Sequence, residues 1–267
     1  METARALPVL MYHHVSPSPG LVTLGPGVFR AQIAALAGAG WRSAGLGEVE
    51  RFFAGEPLPA RSCVISFDDG YLDNWVHAHP VLAEFGMKAV LFVVTGWLGE
   101  GPARTGVTAL SGHRECMQRI QAGRHDEVML RWSEVEAMCA AGTFEFHSHT
   151  HSHVRWDRTI ADSATRRAAL AEDLSLSRQI LASRLGVASR HLCWPQGHYD
   201  ADHVRVARTV GFDHLYTTER RVNLPSSDPA RIGRLATKDR PADWLVSRTR
   251  IYGHPLLGRL YNLIRPR

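Results

Sequence analysis

Six short apolar runs, rich in β-branched and aromatic residues, punctuate the chain at 7–12, 63–67, 89–95, 143–146, 191–194 and 214–217. Helix-patterned segments lie between them. Over 28–39, Phe29, Ile33, Leu36 and Ala37 share one stripe, and 47–54 carries Val49, Phe52 and Phe53. A further helix over 73–85 follows the Gly70-Tyr71 turn, and Ser133 is placed to cap one over 134–141. The stretch 162–185 is rich in Ala, Leu, Arg and Glu, with Gly186 suited to stop it. Strands separated by whole helices pair in parallel through crossovers, so the alternation predicts a largely parallel sheet, open or closed into a barrel. A chain of 267 residues fits one large α/β domain, 1–267. Its core is expected over about 7–235, with a helical extension over about 241–267. The irregular stretch 96–131 reads as an excursion across one face.

Folds of this kind place function just beyond the C-terminal ends of their strands. Four strand exits carry polar or turn residues: His13-His14, Asp68-Asp69-Gly70, the run His147-Ser148-His149-Thr150-His151-Ser152-His153, and Pro195-Gln196-Gly197. Neutral imidazole is the commonest protein ligand for transition metals. An extended chain would throw alternate rings to one side, whereas a tight turn pairs His147 with His151 or His149 with His153. Asp68 and Asp69 point to different sides of the backbone, so one can bind a metal while the other handles a proton. Gly70 lets the chain turn sharply after them.

Composition narrows the classes. A hydrophobic fraction of 45% and a charged fraction of 21% describe a globular protein. The arginines scattered from Arg158 to Arg234 read as solvated helix faces, or as attraction to an acidic partner. No nucleic-acid module or aromatic-basic platform is present, so nucleic acid is set aside. The four cysteines are widely spaced, which argues against a zinc-thiolate site, and Cys63 and Cys193 read as core residues. No apolar run approaches the length of a membrane span, and no signal-like stretch opens the chain, so the expected address is the cytoplasm. Leu256, Leu257, Leu260, Tyr261 and Ile264 mix with Arg259, Arg265 and Arg267 at the end. That pattern reads as a last helix packed on the domain, or as a peripheral contact with an anionic membrane.

Ser66-Phe67-Asp68-Asp69-Gly70-Tyr71, the histidine run and Trp194-Pro195-Gln196-Gly197 together resemble the first three motifs of polysaccharide deacetylases of the NodB-homology type (carbohydrate esterase family 4). The resemblance spans roughly 7–235. It implies a distorted (β/α) barrel, a divalent metal on Asp-His-His, and hydrolysis of N-acetyl groups on amino sugars. Matched residue by residue, it implies Asp69, His149 and His153 as metal ligands and Asp68 as catalytic base. His147 and His151 are then bystanders. Leu10-Met11-Tyr12-His13 is similar to the family's last motif, displaced to the first strand as in a circularly permuted, exopolysaccharide-deacetylating branch. It implies that His13, as imidazolium, protonates the departing amine. Tyr71, Trp194, Pro195 and Gly197 fall where substrate contacts are expected.

Zinc is the default metal for two nitrogens and one oxygen, with nickel and cobalt also suited. Cys193 stands where many members carry an arginine that orients the base, so the motifs leave open what holds Asp68. Gln196 replaces a common Tyr. The implied partner is an N-acetylated glycan, or a lipid- or nucleotide-linked sugar of a surface polysaccharide or lipopolysaccharide. Hydrolysis of another C–N amide bond on the same scaffold, and glycan binding without turnover, are the competing readings.

Overall fold

The computed structural model of the protein describes residues 2–186 and 188–264. Arg265 and Arg267 lie outside the described residues. The first half contains β1 (Val9–Tyr12), β2 (His14–Val15), β3 (Thr23–Leu24), α1 (Pro26–Gly38), β4 (Arg42–Ser43), α2 (Leu46–Phe53), β5 (Ser62–Asp69), α3 (His79–Glu84), β6 (Ala89–Val93), α4 (His113–Gln121) and α5 (Trp132–Ala140). There follow β7 (Phe144–Ser148), α6 (Trp156–Thr159), α7 (Ser163–Leu185), β8 (His191–Cys193), α8 (Ala201–Val210), β9 (His214–Tyr216), β10 (Leu235–Ala236), α9 (Ala242–Tyr252) and α10 (Pro255–Ile264).

The main sheet runs β10-β1-β5-β6-β7-β8-β9, with β4 beside β5. All its pairings are parallel. Its two edges are joined by one segment. Ile232 donates its N–H to Leu215 and accepts from Thr217, and Leu235 three residues later pairs with Leu10 of β1. The sheet is thereby drawn round into a distorted barrel.

Strand alternation sorts the side chains. Val9, Val64, Val90 and Phe92 join Cys193, Tyr216 and Ile232 in one cluster, which Leu46, Val49 and Phe52 of α2 close at the N-terminal end of the strands. Leu10, Tyr12, Ile65, Phe67, Leu91 and Val93 pack the other way, among Phe29 and Ile33 of α1, Val135 of α5 and Leu245 of α9. Asp68 lies in register with the inward set.

Two local readings need correction. Ser133 does not cap α5. Arg131 holds the N-cap position, Glu134 accepts the Arg131 N–H at 2.8 Å, and Ser133 donates to the Gly101 carbonyl instead. Strand β5 runs past the apolar run 63–67 through Asp69, so the carboxylate pair lies within the strand's end, and the turn follows at Gly70, whose N–H donates to the Asp68 carbonyl at 3.0 Å. At α7 the structure follows the pattern: Asp162 accepts from Thr165 N at 2.7 Å and Gly186 ends the helix at φ +76°.

Candidate active site

Asp68 and Asp69 finish β5 with different geometry. Asp69 has φ +73°, a left-handed conformation that a non-glycine residue holds only when its surroundings fix it. Its Oδ1 lies 3.4 Å from His149 Nε2 and 3.6 Å from His153 Nε2. The chain turns through Thr150 at φ +68° and His153 at φ +59°, which brings the histidines four apart together. The other pair is directed elsewhere: His147 Nδ1 is 2.6 Å from Ser189 Oγ, and His151 Nδ1 is 3.0 Å from Thr95 Oγ1.

A buried carboxylate from α7 pins this loop. Asp173 Oδ1 accepts the N–H groups of His151 and Ser152 at 3.0 and 2.9 Å. Its Oδ2 accepts the Ser152 hydroxyl at 3.0 Å and the Trp156 indole N–H at 2.9 Å.

The three groups suit a cation. His149 Nδ1 is 2.8 Å from the Cys193 carbonyl, which can only accept, so Nδ1 carries a proton and Nε2 is the atom turned to Asp69. Asp69 Oδ1 is buried and takes no hydrogen bond among the described residues. Such an oxygen is costly unless positive charge sits beside it. The separations of 3.4 and 3.6 Å exceed those of a charge-assisted hydrogen bond. Ligands about 2.0–2.1 Å from a tetrahedral metal stand about 3.3–3.4 Å from one another.

Electrostatics point the same way. Burial pushes His153 down to about 4 against the pull of Asp69, leaving it neutral and able to ligate. Burial acts to raise Asp69, but the nearby His149, His153 and His13 imidazoles hold it well below the carboxylate range. Burial acts to lower His149, yet Cys193 and the neighbouring Asp69 and Asp68 carboxylates raise it well above the usual value, so positive charge is favoured at this ring.

Asp68 is held by a residue that the motifs did not supply. Arg234, between Ile232 and β10, places Nη1 2.6 Å from Oδ1 and Nη2 2.8 Å from Oδ2. Both residues are buried, at 1% and 2% exposure, so Arg234 is no surface arginine. Burial would raise Asp68, but Arg234 and the neighbouring histidines outweigh it and hold the carboxyl below its ordinary value. Cys193 Sγ lies 3.7 Å from both oxygens, so this cysteine packs directly on the Asp68 carboxylate.

His13 Nε2 is 3.7 Å from Asp68 Oδ2 with 19% of the side chain exposed. Burial lowers the His13 pKa against the opposing pull of Asp68 and Asp69. His14 faces the opposite side, with Nδ1 2.5 Å from Asp73 Oδ2 and its ring stacked on Tyr71 at 3.6 Å.

The expected substrate contacts fare differently. Tyr71 and Trp194 are each 1% exposed and Pro195 is buried, so their side chains build the wall and offer no open face. Gly197, at φ +71°, lies so close to Thr218 that a Cβ would come within 2.1 Å of its Oγ1.

A second cluster, Glu50, His191 and His214, sits at the opposite strand ends. There His191 is hydrogen-bonded to Glu50 at 3.0 Å and to Tyr216 at 3.2 Å, and the Arg190 guanidinium stands 3.6 Å from Glu50. That cluster supplies its own cation, as Asp69 does not.

The family model described as polysaccharide deacetylase matches residues 55–215. The poly-beta-1,6-N-acetyl-D-glucosamine N-deacetylase of Staphylococcus aureus (strain MRSA252) is 23% identical over 193 residues, covering 72% of this chain and 59% of its own length. The chain thus spans about three fifths of that relative. The structure of IcaB from Ammonifex degensii aligns at 25% identity and a TM-score of 0.71, over 94% of this chain and 99% of that one. The Streptococcus pyogenes deacetylase PplD aligns at 20% identity and a TM-score of 0.74, over 92% and 99%, which shows the shared fold.

Proposed function

The chain belongs to the polysaccharide deacetylase family, and from that membership we propose that it hydrolyses N-acetyl groups on amino sugars of a glycan, releasing acetate. The observation that carries this reading is the division of labour between two adjacent carboxylates. Asp69 Oδ1 is unpartnered between two imidazoles, whereas Asp68 is locked by Arg234 with His13 beside it.

Asp69, His149 and His153 would hold the metal. A divalent ion there supplies Lewis acidity toward the acetyl carbonyl and toward water, with zinc first and nickel or cobalt also suited. The protein's own groups do the rest. Asp68, ionised and fixed at both oxygens, takes a proton from the water that attacks the acetyl carbon. His13, 3.7 Å from Asp68 at the edge of the site, is placed to protonate the nitrogen as the C–N bond breaks. One water is consumed, and acetate and a free amine leave.

The S. aureus relative is named for poly-beta-1,6-N-acetyl-D-glucosamine, and we take β-linked N-acetylglucosamine polymers as the first substrate class to test. Lipid- or nucleotide-linked precursors of a surface polysaccharide come next. We assign the reaction to the cytoplasm, an address supported by four unpaired cysteines. Acetate release from N-acetylglucosamine oligomers, lost in Asp68→Asn, tests the reading. Full turnover in that variant would overturn it.

A further inference from the structure

Helix α10 turns its apolar side outward. Leu256, Leu257, Leu260, Leu263 and Ile264 are 66, 50, 53, 79 and 67% exposed. Their spacing of one, four, seven and eight residues from Leu256 puts them on one continuous face. Among the other exposed large hydrophobics of the described residues only Leu21, at 73%, is comparably exposed, with Val22 and Leu176 at 39%. The opposite face holds the helix to the body. Gly258 lies against Val222, and the Tyr261 ring meets the guanidinium groups of Arg220 and Arg248 at 5.7 and 4.5 Å. Asn262 Nδ2 donates to the Arg220 carbonyl at 3.0 Å, and its Oδ1 accepts from the Tyr252 hydroxyl. The leucine face is therefore fixed outward by packing.

Charge identifies the occupant. From residue 244 to 267 the sequence carries Arg248, Arg250, Arg259, Arg265 and Arg267 and no Asp or Glu. An apolar stripe alone would suit a protein groove or a second copy of the chain. A stripe on a helix that carries Arg259, with Arg250, Arg265 and Arg267 flanking it in sequence and no Asp or Glu among them, suits acyl chains below a layer of anionic headgroups. We propose that α10 is a docking surface for an anionic lipid bilayer. Gly253, which leads into the helix, sits against the Trp41 ring just before β4, and β4 pairs with the first residues of β5. The helix thus begins at the barrel end remote from Asp68 and Asp69, and docking leaves the mouth of the site open to the aqueous side.

The test is co-sedimentation of the full chain with vesicles of phosphatidylcholine plus phosphatidylglycerol, against phosphatidylcholine alone. Binding should require the anionic lipid and weaken at high salt. It should fall about tenfold or more in Leu256→Ser/Leu260→Ser/Leu263→Ser, whose circular dichroism and acetate release from a soluble oligomer stay as in the parent. Equal binding by that variant, no binding to anionic vesicles, or a parent dimer that the variant turns into a monomer would each overturn the proposal. Vesicle binding without acetate release would defeat the catalytic reading and leave this one standing.

Discussion

Asp68 and Asp69 share a peptide bond and differ in everything around their carboxylates, one meeting a guanidinium and the other two imidazoles. The difference was half legible in the sequence. Two adjacent acids after an apolar strand must diverge, and the histidines four apart were one of two pairings that a turn allows. Arg234 was not legible, because its partner lies 166 residues away and nothing local marks it as buried. Its planar fork grips both oxygens of Asp68, which an ammonium cannot do. Arg234→Lys should therefore lower kcat about 100-fold through misplacement of the base. A weaker cation also stabilises the carboxylate less, so the Asp68 pKa rises and the acid limb of the pH–rate profile moves to higher pH. An unchanged limb and rate would show that Arg234 only fills space. By the same logic His149→Ala and His153→Ala should each abolish metal uptake measured by elemental analysis, while His147→Ala retains it. Loss in His147→Ala alone would reverse the register.

At the scale of elements, strands and helices with several turns were readable because their side chains repeat at two or 3.6 residues. The two-residue strands β4 and β10 offer no repeat, yet β10 closes the barrel and its approach carries Arg234. The histidine loop shows a similar gap. Its ligands announce themselves, but its conformation depends on Asp173, an acid within an ordinary-looking Ala- and Arg-rich helix. Four donors converge on that carboxylate. Asp173→Ala should weaken metal affinity about 10–100-fold in a chelator competition, the usual scale for a group that orients ligands. Unchanged affinity would mean that Thr150 and His153 hold their left-handed backbone unaided. The cap of α7 is a separate matter: Asp162→Ala should cost about 1 kcal/mol of stability in urea titration, without touching metal or turnover.

The whole molecule is a barrel packed at one end, where α2 seals it, with Asp69, His149 and His153 gathered at the other. A cation that binds only the folded chain stabilises it, by about 2.7 kcal/mol when present at 100 times its dissociation constant. Loading should therefore raise Tm in the parent and leave Asp69→Asn unmoved. The most direct measurement joins metal to chemistry in one sample. The protein is stripped with chelator, and acetate release from an N-acetylglucosamine oligomer is followed as zinc is added back. Acetate should be undetectable at the start and rise to a plateau at one ion per chain, with Asp69→Asn remaining flat throughout. Undiminished release from the stripped protein, or a plateau that Asp69→Asn reaches equally, would contradict a metal held by Asp69, His149 and His153.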